Sequence, residues 1–236
     1  MKRTFLLAAL MLFALISTHA QSLDQVLDSY YKANGLEKMA DVKTFNVKAK
    51  VNVMGMEMPM EIKVKKPNKF RVDMEMMGQK TTSAYDGEHG WMINPMMGAG
   101  AQDLEGDQLK QAMSQADMEG ALYNYKAKGS NIEMLGKVDV DGAEAYKLKL
   151  TDKDGVVQTY YINANDYLVS KVESRAEAMG QTMDIVTRMV EYKDLNGIKM
   201  ANKIEIEMPM GKQSVVMEEI KLDEPIDDAL FEKPAN

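Results

Sequence analysis

The chain has 236 residues, with 29 Lys and Arg against 36 Asp and Glu, so its formal net charge is -7. Phosphate binding needs clustered basic side chains, and this acidic balance therefore argues against a nucleic-acid partner. The sequence contains no Cys and two His, which excludes a disulfide framework, a Cys/His zinc site and a thiol nucleophile. Its 23 Met are a marked excess.

Residues 1–20 have the pattern of a secretory signal peptide. Lys2 and Arg3 precede an uncharged run, Phe5–Ile16. We expect this segment to be removed and residues 21–236 to form a single domain. With no Cys there is no lipidation site, so the mature protein is expected to be soluble in the periplasm. No later run approaches the ~20 apolar residues of a membrane span.

An amphipathic helix is predicted directly after the signal peptide. Apolar side chains recur there at spacings of three and four, the period of one helix face, at Leu23, Val26, Leu27, Tyr30 and Tyr31. Asn34-Gly35 follows and predicts the end of the helix.

From Phe45 the apolar period changes to two, which predicts strands buried on one face. Such alternation covers Phe45–Val53, Met58–Val64, Phe70–Met76 and a stretch ending near Tyr85, and Trp91–Ile93 follows an Asp-Gly turn. Residues 95–101 form a loop by composition. A second amphipathic helix is predicted beyond this loop from the spacing of Leu109, Ala112, Met113 and Ala116.

From Ile132 onward strands return, with turn signals at fairly regular intervals as far as Gly211. The whole pattern gives about eleven strands and about three helical segments. Short turns require antiparallel neighbours. We therefore predict a mainly β (α+β) protein: one large, strongly bent antiparallel sheet with helices covering one face.

Three interpretations of the methionines compete. They could replace Leu in an ordinary core, or form an adaptable apolar binding surface, because unbranched thioether side chains repack easily. They could also bind Cu(I), which thioethers select. The tetrapeptide Glu-Met-Pro-Met occurs at 57–60 and again at 207–210. A Pro at each site predicts a strand end or sheet edge, because Pro cannot donate to a strand ladder.

Two stretches resemble the LolA/LolB-like family of periplasmic lipoprotein carriers and outer-membrane lipoprotein-sorting proteins. These are Val64–Phe70, a strand end followed by two basic residues and Pro-Asn, and Tyr85–Pro95, with Asp-Gly, Trp and Asn-Pro. The resemblance implies an unclosed antiparallel β half-barrel whose concave apolar face is covered by helices acting as a lid.

The resemblance also implies a function: a monomeric carrier that shelters lipoprotein acyl chains or a related lipid in transit to the outer membrane. Its partners would then be an inner-membrane release complex and an outer-membrane acceptor. No cofactor is expected. The alternatives are a Met-rich periplasmic Cu(I)-binding protein and a non-catalytic envelope binding or scaffold protein on the same fold.

The candidate site follows from the apolar faces of the predicted strands and the implied lid. The candidate lining residues are Met58, Met60, Ile62, Val64, Phe70, Val72, Met74, Met76, Trp91, Ile93, Met208 and Met210. Trp91 fits a ligand wall or plain core. The expected lid contacts are Leu109, Met113 and Lys66, since the resemblance implies an Arg at the Lys66 position that reaches the lid. A Lys at a strand end with its ammonium group in solvent is the alternative for Lys66.

Catalysis is not expected from the sequence. Asp139, Asp141, Asp152 and Asp154 flank predicted turns without the ligand spacing of a calcium loop. His89 is the one His outside the predicted signal peptide, and it stands beside an Asp-Gly turn. Neither a phosphate-binding Gly loop nor a nucleophile elbow occurs.

Overall fold

The structure, a computed structural model, describes residues 21–234 except 77, 99, 179 and 180. The predicted signal peptide lies outside the described residues. The α-helices are α1 (Leu23–Asn34), α2 (Leu36–Asp41) and α3 (Gly106–Gln115). The strands are β1 (Thr44–Val53), β2 (Met56–Lys65), β3 (Lys69–Met76), β4 (Gln79–Tyr85), β5 (Gly90–Ile93), β6 (Gln102–Asp103), β7 (Asn131–Val140), β8 (Ala143–Thr151), β9 (Val157–Asn163), β10 (Val169–Ala178), β11 (Gln181–Leu195), β12 (Ile198–Met208) and β13 (Gly211–Leu222). No helix in these ranges is long and apolar enough to cross a membrane.

In the described part of the chain, thirteen strands form one sheet in the order β6-β5-β4-β3-β2-β1-β13-β12-β11-β10-β9-β8-β7. Strands adjacent in the sheet are also adjacent along the chain, except for β1 and β13. Their antiparallel pairing joins two meanders, β1–β6 and β7–β13. The two end strands, β6 and β7, do not pair with each other, so the sheet is an open half-barrel. The predicted fold class is confirmed.

Two details differ from the sequence-based prediction. The sheet has more strands than expected, and one of them, β6, is only two residues long and leaves no periodic pattern. Gly35 ends α1 as predicted, but the chain then forms α2, whose six residues are too few to show a helical period. Pro59 lies at a local sheet edge, as its sequence predicts, because β3 begins to pair with β2 only at Met60.

Gly35 fixes how the helices sit on the sheet. It has φ +66°, accepted readily by glycine alone, and its N–H caps α1 by donating to the carbonyls of Tyr31 and Lys32. A Cβ at this position would lie 2.0 Å from the carbonyl oxygen of Gly197, in the turn between β11 and β12. The helix junction therefore touches the sheet backbone directly.

We call the face of the sheet that carries the helices the concave face and the opposite one the convex face. The C-terminal residues cross the convex face. Trp91 Nε1 donates to the carbonyl of Phe231 at 2.7 Å, and both side chains are buried. Arg71 donates to the carbonyl of Leu230, and its guanidinium lies 5.7 Å from the Trp91 ring. Lys65 and Lys69 both pair with Asp228.

Asp73 anchors Arg71 beneath this segment. Its carboxylate accepts two hydrogen bonds from Arg71, at 2.9 and 3.0 Å, and one from Thr82 at 2.6 Å. Burial alone would raise the pKa of Asp73, but the hydrogen bonds from Arg71 and Thr82 outweigh it, so the pKa lies below its ordinary value.

The Gly35 junction gives a first testable prediction. Gly35→Ala should lower the free energy of unfolding by about 3 kcal/mol or more, since it adds a backbone clash to an unfavourable φ. Gly142→Ala is the matched control: Gly142 also has a positive φ, +86°, but a Cβ there meets nothing within 4 Å. Urea denaturation measures both. Equal losses in the two variants would contradict the close approach.

A second prediction concerns Asp73 and pH. At pH 7, Asp73→Asn should cost about 2 to 3 kcal/mol of unfolding free energy, because it removes charged hydrogen bonds. The folded-state pKa is lowered, so this stabilisation is present above the unfolded-state value of about 3.9 and is lost as pH falls through the folded pKa. Asp228→Asn, at an exposed carboxylate, should cost less. A penalty for Asp73→Asn that is the same at pH 7 and pH 2 would contradict this assignment.

Candidate functional site

The concave face is apolar along most of its width, and the strand registers define it. Ile62 of β2 lies opposite Val47 of β1 on one side and Val72 of β3 on the other. Val72 lies opposite Ser83 of β4. Since strands alternate their side chains between faces, this row and the rows two residues away from it share the concave face.

Helices cover the two sides of this face. Beneath α3, Val64, Phe70 and Tyr85 pack with Ala112 and Ala116. Beneath α1 and α2, a larger cluster joins helix residues to strands of the second meander, including Val26, Leu27, Tyr30, Met39, Leu148, Ile162 and Ile198. Met118, in the turns after α3, packs against both clusters and connects them. Both sides are filled by the chain's own side chains.

Between the covered sides lies a third cluster, which we call the central apolar strip. All its described members come from strands β1, β2, β3, β12 and β13, and none from a helix. They are Phe45, Val47, Ala49, Val51, Val53, Met58, Met60, Ile62, Met74, Ile204, Ile206, Val215, Met217 and Ile220. Four strand spacings separate β3 from β12, which makes the strip about 19 Å wide.

One end of the strip opens onto exposed methionines, which we call the methionine rim. These are Met54, Met56, Met76 and Met210. Val53 pairs with both Met56 and Gln213, so the β1–β2 and β12–β13 turns lie side by side. The two most prominent members, Met54 and Met210, are 78% and 76% exposed. Large apolar side chains exposed together at one end of a sheet are typical of an interaction site.

The structure distributes ten of the predicted lining residues among the central strip, the methionine rim, the end of β12 and the area beneath α3. Met58, Met60, Ile62 and Met74 lie in the central strip, and Met76 and Met210 lie in the rim. Met208 shares the concave face at the end of β12, opposite Gly211. Val64, Phe70 and Val72 also face the concave side, but beneath α3. A ligand could reach this last group only if α3 moved.

Trp91 and Ile93 correct the prediction, because the structure places them on the convex face. Trp91 lies opposite Ala84, which in turn lies opposite Arg71. The turn after β4 sets this register by pairing Tyr85 with Gly90. Gly90 and Met92 therefore face α3, and Trp91 is core beneath the C-terminal segment. A shift of one residue moves every side chain of a strand to the other face.

Lys66 connects the sheet to the helical layer. Its ammonium group donates to the carbonyls of Met39, at 3.2 Å, and Ala40, and forms an ion pair with Glu119 at 2.7 Å. Two carbonyls at the end of α2 and a carboxylate after α3 thus meet at one cation. A cation is favourable at a helix C-terminus, where the carbonyls lack partners within the helix.

The two other predicted lid residues differ from each other. Leu109 packs into the cluster beneath α3, and a Cβ added to Gly90 would lie 2.9 Å from Leu109 Cδ1. Gly90 thus allows α3 to approach β5 closely. Met113 is 43% exposed and is not part of that cluster. Of these two residues, Leu109 is the one that packs in the cluster between α3 and the sheet.

The covered side near α1 contains several tyrosines that stay neutral. Burial raises the pKa of Tyr160 to about 12, and it also raises that of Tyr30 well above its ordinary value. Tyr31 donates to the carbonyl of Leu122 at 2.7 Å. These groups brace the helices and supply no charge to the site.

A polar cleft of about 540 Å³ lies elsewhere, lined by Asp41, Lys43, Thr44, Lys65, Asp223, Glu224, Pro225 and Ile226. Its polar groups are largely engaged with one another. Lys65 donates to the carbonyl of Ile226, Thr44 donates to the carbonyl of Glu224, and Asp223 accepts from the Lys43 N–H. This cleft therefore fits a packed loop junction better than a ligand site.

The carboxylates in the predicted turns serve the turns themselves. Asp139 accepts from the N–H of Gly142, and Asp152 accepts from those of Asp154 and Val156. Within the described ranges, no group of three or more His, Cys, Asp or Glu side chains could hold a metal ion.

Comparison with known proteins identifies the fold. No family model matches the sequence, and no curated protein matches it. Among solved structures, a DUF1329 family protein from Desulfovibrio piger has a TM-score of 0.60 at 16% identity, over 88% of this chain and 97% of that one. A LolA superfamily protein from Nitrosomonas europaea has a TM-score of 0.57 at 16% identity, over 86% and 98%. A putative outer membrane lipoprotein-sorting protein domain from Vibrio parahaemolyticus has a TM-score of 0.57 at 10% identity, over 87% and 97%.

At these identities the similarity establishes a shared fold. The chain has the open half-barrel of the LolA superfamily protein and the lipoprotein-sorting domain, as its resemblance to the LolA/LolB-like family implied. The similarity covers nearly the full length of each of those structures.

The Lys66 contact gives a third prediction. A double-mutant cycle on Lys66→Met and Glu119→Gln should give a coupling energy of about 1 kcal/mol or more, because both side chains are mostly buried and their hydrogen bond is charged. The same cycle on the exposed pair Arg175 and Asp184, 2.8 Å apart, should give less. Urea denaturation measures both cycles, and a Lys66–Glu119 coupling near zero would mean that the contact does not hold the helical layer.

Proposed function

We propose that the protein is a non-catalytic carrier or binding protein of the bacterial envelope that shelters lipoprotein acyl chains or a related lipid on its concave face. The observation that carries the proposal is the central apolar strip, a row of Val, Ile and Met side chains between two helix-covered sides. The fold shared with a lipoprotein-sorting domain supports it. The expected location in the periplasm rests on the sequence of residues 1–20.

The strip provides the driving force for acyl-chain binding. Removing an acyl chain from water contributes about 0.8 kcal/mol per methylene, so a chain of ~15 methylenes gains on the order of 12 kcal/mol before the costs of ordering it. The concave face of β2 outside the α3 cluster runs from Met56 to Ile62, about 20 Å. Thioether side chains along this path adapt to chains of different length and shape at low cost.

The methionine rim suggests how cargo enters. It lies at the open end of the strip, and Met56, Met58 and Met60 lead from the rim into the strip along a single strand face. A chain transferred from a membrane protein would contact this end first. An inner-membrane release complex and an outer-membrane acceptor would therefore both dock near the rim.

A matched pair of substitutions tests the site. Met60→Asp places a charge in the strip and should weaken binding of a fluorescent palmitoyl probe at least tenfold, since a carboxylate is strongly disfavoured beside an acyl chain. Val216→Asp is the control. It makes a similar change on the convex face, where Lys50 and Lys203 flank it. Fluorescence titration gives both affinities, and equal effects would show that the strip is not the site.

One specific observation favours the Cu(I)-binding alternative. Met58 and Met60 share a strand face with rim methionines, and thioethers are Cu(I) ligands. Native mass spectrometry of protein purified from its own envelope separates the two functions. Lipid-mass adducts support the carrier. Stoichiometric Cu(I) uptake that Met58→Leu with Met60→Leu abolishes would favour the alternative. A chain that takes up neither lipid nor copper would fit the envelope scaffold protein.

A further inference from the structure

A buried polar side chain interrupts the apolar concave face on β12. Asn202 lies in β12 between Met200 and Ile204, which alternate onto this face. The residue is only 7% exposed, and its Oδ1 has no hydrogen-bond partner among the residues that the structure describes. Native proteins bond nearly all their buried polar atoms, because an unsatisfied one destabilises the fold. A donor group on a ligand beside the central strip would satisfy this oxygen.

Asn202 lies where the part of the concave face beneath α1 and α2 meets the central strip. Met200 packs against the cluster beneath α1 and α2, whereas Ile204 belongs to the central strip. The pairing of β12 with β13 ends at Lys203, opposite Val216, and the register between β11 and β12 shifts beside Asn202, so this residue lies at a local irregularity of the sheet. A chain lying in the strip would have one end next to this amide.

We propose that Asn202 is the polar anchor of the site and binds a hydrogen-bond donor attached to the acyl chain, an amide N–H or a hydroxyl. This inference rests on the proposed function and specifies its ligand class. A side-chain amide carries an acceptor oxygen and two N–H donors, so an acyl amide, which also donates and accepts, complements it best. A methyl ester offers acceptors only and leaves Asn202 Oδ1 unsatisfied.

The chain contains a natural control for this role. Asn46 Oδ1 is also buried and without a hydrogen-bond partner in the described residues. Asn46, however, lies on the convex side of β1, opposite Lys63 of β2 and Lys221 of β13. Its amide faces away from the strip, so its substitution should leave ligand preference unchanged.

The test compares palmitamide with methyl palmitate as competitors of a fluorescent palmitoyl probe. Wild-type protein should bind palmitamide about tenfold more tightly, the effect of about one net hydrogen bond. Asn202→Leu should bind the two ligands equally, with its affinity for methyl palmitate retained. Asn46→Leu should keep the wild-type preference.

Other outcomes overturn the inference. Equal binding of both ligands by wild-type protein would refute the inference. A preference for palmitamide that survives in Asn202→Leu would also refute it. Removing an unsatisfied polar group should leave Tm unchanged or raise it, so an Asn202→Leu protein that melts far below wild type would assign the amide to the fold instead. Failure of the probe itself to bind would refute the proposed function, and equal competition by the two ligands would refute the anchor alone.

Discussion

The pairing of β1 with β13 is the interaction on which the rest of the structure depends. Every other pair in the sheet joins strands that follow each other along the chain, whereas this one joins residues near 45 to residues near 222. It brings the Met-rich strand β2 within three strands of β12 and so assembles the central strip from both ends of the sequence. On the convex side, Lys48 and Lys50 of β1 pair with Glu219 and Glu218 of β13, which favours this register.

The open edge of the half-barrel follows from the same pairing. Once β1 and β13 are joined in the middle, β6 and β7 become the two ends of the sheet. Helices α1 and α3 then cover opposite sides of the concave face and leave the strip between them. Lys66 ties these layers together through the end of α2 and Glu119, so any widening of the strip has to break or rearrange this contact.

Local sequence pattern was sufficient for much of the fold because alternation is a local property. The apolar side chains of β1 and β2 share the concave face as their alternation indicated, and Met58, Met60 and Ile62 lie together in the strip. The sequence allowed Trp91 to be a ligand wall or core, and the structure makes it core; sequence could not decide because the face of a short strand depends on the turn before it. The pairing of β1 with β13, and with it the place of Asn202, depends on contacts between distant residues, which periodicity does not reveal.

Photo-crosslinking tests the central claim, that the strip holds an acyl chain, most directly. Palmitic acid with a diazirine on its terminal carbon would be bound to the protein, irradiated and located by peptide mass spectrometry. The account predicts labels on strip residues of both meanders, such as Met60 of β2 and Met217 of β13. Labels confined to the convex face, for example around Val216 and Lys50, or no labelling above an unfolded control, would contradict it.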